Sequence, residues 1–215
     1  MKTIVVGYDE TDGSDRALDR AADIAEAWAR TTDLDVEVQH RPQNLGYGGN
    51  QKASYRWADD EGLGVVTLVH GDAQYPPESL DELVAPIMDG RADVVFGSRF
   101  ISDRPHAVLY FWHSVGNRFL TLVSNIFTNL NLTDMETCYK AFRREVIQSI
   151  EIEEDRFGFE PEITAKVAGQ RLRIFEVGIS YAGRTYAEGK KIGWRDGVHA
   201  LVCIIRYSPY VRRDR

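Results

Sequence analysis

An α/β fold, with a mainly parallel sheet sandwiched by helices, is predicted for this 215-residue chain by three observations. Short apolar runs of strand length alternate with helix-patterned stretches of about 10–15 residues. The runs end in turns that carry Gly, Asp or Ser, and 43% of the residues are hydrophobic, enough for a single packed core. Strands that alternate with helices place their crossovers on both faces of the sheet, and ligands then bind outside the carboxyl ends of the strands.

The elements follow in order. Residues 3–6 read as a buried strand, and residues 15–29 as a helix whose apolar stripe is Ala17, Leu18, Ala21, Ala22, Ile24, Ala25 and Trp28. A strand at 36–39 precedes the glycine-rich turn at 44–49, which leads into a helix at 50–60. The apolar run 65–69 ends in His70-Gly71-Asp72-Ala73-Gln74, after which Pro76 and Pro77 open a helix at 77–88. A strand at 94–97 runs into Gly97-Ser98-Arg99. The second half is less regular: a helix at 116–129, a loop and short strand at 134–142, a helix at 160–167 and a strand at 173–179. The last helix, 194–207, carries Trp194, Val198, Leu201, Val202 and Ile205 as a stripe expected to pack on the core, with contact to a membrane surface as the alternative.

Composition excludes several functions. With 26 Lys and Arg against 33 Asp and Glu the net charge is -7, which argues against nucleic acid as a partner, because phosphate affinity needs concentrated cations. Cys138 and Cys203 are too few and too separated for a disulfide framework, which points to a reducing cytoplasm. The opening MKTIVVGYDE has too short an apolar run for a secretory signal. The apolar patches 108–112 and 200–205 fall short of the roughly 20 residues that span a bilayer.

The segment TLVHGDAQYPPESL at 67–80 carries the chemistry. A carboxylate at a strand end, as Asp72 is, suits a hard divalent cation held against a diphosphate, since Mg²⁺ takes one or two protein carboxylates plus substrate oxygens. That suggests nucleotide-sugar chemistry; the alternative is an acidic turn between strand and helix.

Seven segments, in order, resemble family 2 glycosyltransferases of the dolichol-phosphate mannose synthase-like branch over residues 36–207: NLGYGG (44–49), HGDAQYPPE (70–78), ADVVFGSRF (92–100), GNRFLT (116–121), TDMETCYKAFRREV (133–146), FGFEPEI (157–163) and EVGISYAGRTYAEGKK (176–191). The resemblance implies a nucleotide-diphospho-sugar transferase (GT-A type) fold. The whole chain would be one glycosyltransferase domain, residues 1–100 binding the nucleotide-sugar and residues 101–215 the acceptor. It also implies site residues. Asp72 takes the place of the metal-holding Asp of the family's DxD motif, Gln74 that of a neighbouring oxygen ligand, and His70 stands where the first Asp belongs. Imidazole suits Mn²⁺ better than Mg²⁺, so His70 is either a ligand or a strand-end side chain bonded to backbone. Arg99 and Arg118 match positions that meet an acceptor phosphate, a role suited to the planar donor fork of Arg. Arg184, Glu188, Lys190 and Lys191 lie in a segment resembling a basic loop that closes over the donor diphosphate, with Arg184 and Lys190 facing it. Gly46 and Gly48 are expected at the donor, and Asp9 or Asp12 at its base or ribose. Asp134 falls where relatives carry an Asp near the acceptor; for a hydroxyl acceptor, Asp134 or Glu136 would be the general base, and for a lipid phosphate Asp134 would position the metal or the acceptor.

The amino terminus departs from the family pattern. Only one strand and helix precede residue 36, where two of each are expected, and residues 1–30 are weakly similar to the start of a universal stress protein. The implied activity is inverting, metal-dependent transfer of a sugar from a nucleotide-diphosphate donor to a polyprenyl phosphate or related glycan acceptor, with Mg²⁺ or Mn²⁺. Peripheral contact with the cytoplasmic face of a membrane is expected, with Arg206, Arg212, Arg213 and Arg215 near anionic headgroups. The competing reading is a catalytically idle nucleotide-binding or partner protein on the same scaffold.

Overall fold

The computed structural model describes residues 45–67, 74, 79–103, 110–181 and 194–212. The expected elements at 3–6, 15–29 and 36–39 lie outside these residues, as does the question of a lacking strand and helix. In order come α1 (Gly46–Asp60), β1 (Val65–Thr67), α2 (Leu80–Met88), β2 (Val94–Ser98), α3 (Phe111–Thr128), β3 (Lys140–Arg143), α4 (Arg144–Gln148), α5 (Phe159–Ala168), β4 (Ile174–Gly178), α6 (Trp194–Tyr207) and α7 (Pro209–Arg212).

The described strands form one sheet in the order β1-β3-β2-β4. β2 pairs parallel with β4, whereas β3 runs antiparallel to both β1 and β2. Three strands thus point one way, and one reversed strand is inserted between them. The sheet is mixed where parallel pairing was expected to dominate, because β3 is entered from a loop and not from a crossover helix. β2 is buried along its full length, as an inner strand covered on both faces must be. Its side chains alternate: Val94 and Phe96 join Tyr55, Phe142, Phe159 and Ile163 on one face, and Val95 joins Leu83, Ile87, Ala141 and Ile179 on the other. Helices α1 and α5 therefore cover one face and α2 the other.

Three helices differ from the sequence reading. α3 starts at Phe111, five residues before the expected Gly116, since a helix tolerates an interior glycine at a cost of about 1 kcal/mol. It ends at Asn129, whose φ of 56° is a left-handed cap. α1 starts at Gly46, so the glycine-rich turn is its first turn. The stripe on α6 does not face the core: Val198, Val202 and Ile205 are exposed, while Ala200, Cys203, Ile204 and Tyr207 are buried.

The glycines at the start of α1 are needed for close approach. Gly46 has φ +74°, and a Cβ there would lie 2.6 Å from the Asp155 carbonyl oxygen. A Cβ on Gly48 would overlap the Glu154 carbonyl oxygen, and the Gly49 N–H donates to the Asp155 carbonyl at 3.2 Å. Gly48→Ala is accordingly expected to lower stability by about 1–3 kcal/mol. Gly64→Ala, where a Cβ meets nothing within 4 Å, serves as the neutral control, and urea denaturation midpoints of the two variants check the difference.

Candidate active site

Because β1, β2 and β4 share a direction, their carboxyl ends lie on one rim, which the reversed strand β3 enters at Lys140, paired with Phe96. The chain leaving β2, Ser98-Arg99-Phe100, the segment 133–139 that leads into β3, and the chain leaving β4 at Gly178 all meet there.

At the centre lies a buried ion pair. Arg99 directs Nε to Asp134 Oδ2 and Nη2 to Oδ1, both at 2.6 Å, and its backbone N–H donates to Oδ2 at 3.1 Å. Asn117 Nδ2, from α3, reaches Oδ1 at 3.3 Å. The carboxylate is fully enclosed. Glu176 on β4 accepts from the Thr133 N–H at 2.8 Å and the Asp134 N–H at 3.2 Å, so the segment bearing Asp134 is fastened to two strands. Burial raises the Glu176 pKa, the effect partly countered by these backbone donors. Three Arg99 donors, two from the side chain and one from the backbone, thus serve Asp134. The sequence reading placed Arg99 at the acceptor phosphate and Asp134 near the metal or acceptor, as a base only for a hydroxyl; in the structure the two are partners.

A second buried pair lies beside the first. Lys140 Nζ bonds Glu160 and also the carbonyls of Met135 and Thr137, and the Tyr47 hydroxyl donates to the other Glu160 oxygen. Burial, with Cys138 and Glu160 adding, holds the Tyr47 phenol well above its ordinary pKa, so it remains a donor. Tyr47, Lys140 and Glu160 come from three of the quoted motifs, and none was singled out for a role in the sequence.

Between the pairs stands Glu136. Its Oε1 is buried without a protein partner, as are Thr137 Oγ1 and Asn117 Oδ1. Burial, then repulsion from Glu160, pushes the Glu136 pKa up to about 7, against the opposing pull of Lys140 and Arg99. Buried polar atoms left unbonded near a charged cluster are where a ligand or an acid–base step is to be sought.

The rim also gathers aromatic and cationic groups. The Arg99 guanidinium lies over the Tyr181 ring at 5.2 Å, and the Tyr181 hydroxyl donates to Gln74 Oε1 at 2.8 Å. Gln74, expected as an oxygen ligand, is therefore at the rim. Arg118 is exposed on α3 with its guanidinium 5.0 Å over the Phe100 ring. Asp9, Asp12, His70, Asp72, Arg184 and Lys190 lie outside the described residues. Gly46 and Gly48 are seated against the backbone of 154–155. Tyr181 and Glu176 were missed as individual residues, though both stand within a quoted motif; their roles depend on partners far along the chain.

The described helices include none long and apolar enough to cross a membrane. Two of them nonetheless present apolar side chains outward: Phe111, Trp112, Val115, Phe119, Leu122 and Ile126 on α3, and Val198, Val202 and Ile205 on α6.

Comparison with known proteins accords with this architecture. The model of the family "Glycosyl transferase family 2" matches residues 12–151. An undecaprenyl-phosphate mannosyltransferase of Micrococcus luteus is 31% identical over 194 residues, covering 86% of this chain and 77% of the relative. A polyprenol monophosphomannose synthase of Mycolicibacterium smegmatis is 25% identical over 164 residues, 74% of this chain and 60% of the relative. Among solved structures, glucosyl-3-phosphoglycerate synthase from Mycobacterium tuberculosis, in complex with Mn²⁺, UDP and glucosyl-3-phosphoglycerate, superposes with a TM-score of 0.59 at 16% identity, over 96% of this chain and 68% of that one. The fold is the GT-A type expected from the motifs, and nothing in these likenesses favours an idle scaffold. The mixed sheet between two helical layers, the charged rim at its strand ends and a family match across most of the chain lead to one conclusion: the chain belongs to glycosyl transferase family 2 and is a glycosyltransferase.

Proposed function

We propose that the protein transfers a sugar, with inversion, from a nucleotide diphosphate to a polyprenyl phosphate. The observation that carries this reading is the convergence at one rim of Gln74, the Arg99–Asp134 pair and the exposed Arg118. The named relatives act on undecaprenyl phosphate and polyprenol, which supports a lipid phosphate acceptor.

In this mechanism an acceptor phosphate oxygen attacks the anomeric carbon as the bond from that carbon to the nucleoside diphosphate breaks, and the diphosphate leaves with the electron pair. The phosphate has a second pKa near 6, so it attacks already ionised and no base is required. Arg118 on the open side of the rim binds it. Arg99, neutralised and held rigid by Asp134, fixes the wall of the rim beside it. Arg184 and Lys190 face the departing diphosphate. Asp72 and Gln74, with His70, would hold Mg²⁺ or Mn²⁺. The donors expected there suit such an ion, and Gln74 Oε1 is fixed at the rim by Tyr181. The ion would supply charge neutralisation of the leaving diphosphate. The apolar faces of α3 and α6, with Arg206 beside them, rest on a membrane surface and bring the rim to a lipid headgroup.

A second reading, a hydroxyl acceptor, is favoured by Glu136: a carboxyl with a pKa of about 7 is tuned to take a proton from an attacking alcohol.

Transfer from GDP-mannose or UDP-glucose to a short polyprenyl phosphate, with and without Mn²⁺, tests the proposal directly. Metal-dependent transfer that disappears in Asp72→Ala is expected; full activity of that variant would remove the metal assignment. Arg118→Ala is expected to raise the acceptor KM by about 10–100-fold with little change in kcat, the loss of one charge-assisted contact. If a hydroxyl acceptor is used instead, Glu136→Gln abolishes turnover while Arg118→Ala is nearly silent.

The raised Glu136 pKa also has a sign in folding. The unfolded carboxyl ionises near 4.5 and the folded one near 7, so the folded state binds the extra proton and loses stability as pH rises between about 4.5 and about 7. Glu136→Gln removes that loss. The variant is expected to gain on the wild type across this window and to match its pH slope below it, as measured by denaturant midpoints at a series of pH values.

Flotation with vesicles containing anionic lipid checks the membrane surface. The double variant Trp112→Ser, Phe119→Ser is expected to lose most of the bound fraction while keeping its thermal midpoint, because both side chains are exposed.

A further inference from the structure

A cluster on the helical side of the molecule plays no part in the transfer chemistry. Glu154, His199 and Cys203 each bring one potential ligand atom to a common point, all within 4.8 Å of one another. His199 and Cys203 are four residues apart on α6, so they share a helix face. Glu154 comes from the loop before α5, the same loop whose carbonyls seat Gly46 and Gly48.

The geometry points to a cation site of the zinc class, which we propose is formed by Glu154 Oε2, a ring nitrogen of His199 and Cys203 Sγ. The distances fit. Sγ lies 3.8 Å from His199 Nδ1 and 3.9 Å from Nε2, and Nε2 lies 3.7 Å from Glu154 Oε2. With zinc–sulfur and zinc–nitrogen bonds of about 2.3 and about 2.0 Å, the edges of a tetrahedral site are roughly 3.5 Å, so the sulfur–nitrogen and nitrogen–oxygen edges need only a few tenths of an ångström of closure. The carboxylate is already oriented: Tyr207 donates to Glu154 Oε1 at 3.0 Å, leaving Oε2 toward the other two donors. Gly158 permits the approach, for a Cβ there would lie 2.6 Å from Glu154 Oε2 and 2.8 Å from Cys203 Sγ. His199 is about half exposed, which gives the ion an entry path and a fourth position for solvent.

The same residues make a poor nucleophilic triad. The thiol is buried and pushed up to about 12, chiefly by burial with Glu154 adding, whereas a reactive cysteine needs thiolate at neutral pH. A metal ion displaces that proton on binding. Bound here, it ties α6 to the loop that supports the glycine start of α1 and so stiffens that support.

Cobalt(II) titrated into chelator-stripped protein tests the site without reference to transferase activity. One equivalent is expected to bind with a thiolate-to-cobalt charge-transfer band and tetrahedral d–d absorption. Cys203→Ser is expected to lose the charge-transfer band and Cys138→Ser to keep it. Cobalt at Asp72 and His70 would produce no thiolate band, which separates the two sites. His199→Asn, a change at a half-exposed side chain, decides the matter if Cys203→Ser does not fold: it is expected to weaken cobalt binding at least about tenfold and to abolish the zinc-induced rise in thermal midpoint. A wild-type protein without the charge-transfer band, a band that survives in folded Cys203→Ser, or unchanged affinity in His199→Asn overturns the proposal.

Discussion

The ion pair between Arg99 and Asp134 is the constraint from which the rim of this molecule is built. Asp134 accepts from both the side chain and the backbone N–H of Arg99, so the end of β2 cannot move independently of the segment that becomes β3. Glu176 binds the same segment from β4. Three chain segments that are far apart in sequence are locked at one point by two carboxylates. Such a buried pair adds little net stability, because taking both ions out of water costs about as much as their attraction returns. Its contribution is position: removal of either partner leaves a charge enclosed, so the alternatives to this arrangement are costly.

Charge balance explains the behaviour of the neighbouring acid. Arg99 offsets Asp134, and Lys140 offsets Glu160. Glu136 stands among these groups without a cation of its own. Enclosure disfavours its ionised form, and the Glu160 carboxylate outweighs the nearby Lys140. The site therefore holds two neutralised pairs and one carboxyl that changes protonation near neutrality. That arrangement suits a reaction in which negative charge arrives with phosphates and must be met by cations at the open edge, where Arg118 stands.

The helical side follows a different logic. α3 and α6 pack against one another and against α5, burying small and polar residues such as Ser124, Ala200 and Cys203. Many of their large apolar side chains turn outward instead, while Ile204 and Tyr207 of α6 stay buried. Burying small residues lets helices approach closely, and the exposed Phe111, Trp112, Phe119 and Leu122 are then left for an apolar or interfacial environment.

Much of the fold was legible in the chain because its signals are local. The period of apolar residues, the glycines after strands and the apolar length of each run placed β2, β4, α5 and α6 to within a residue or two, and Trp194–Tyr207 agrees at both ends. The motifs in order led to the family and the GT-A type fold. Sequence also brought Gln74 and Arg99 to one rim, since turns after like-directed strands must share an edge, whereas Arg118 and Asp134 came only from the family resemblance. Tertiary structure alone decided what those residues do to each other. It reversed β3, joined Arg99 to Asp134 across 35 positions, Tyr181 to Gln74 across 107 and Tyr47 to Glu160 across 113, and turned the α6 stripe away from the core. The reason is physical: periodicity reports which side chains share a face of one element, whereas pairing and burial depend on which other element is packed there, and that information is spread along the whole chain.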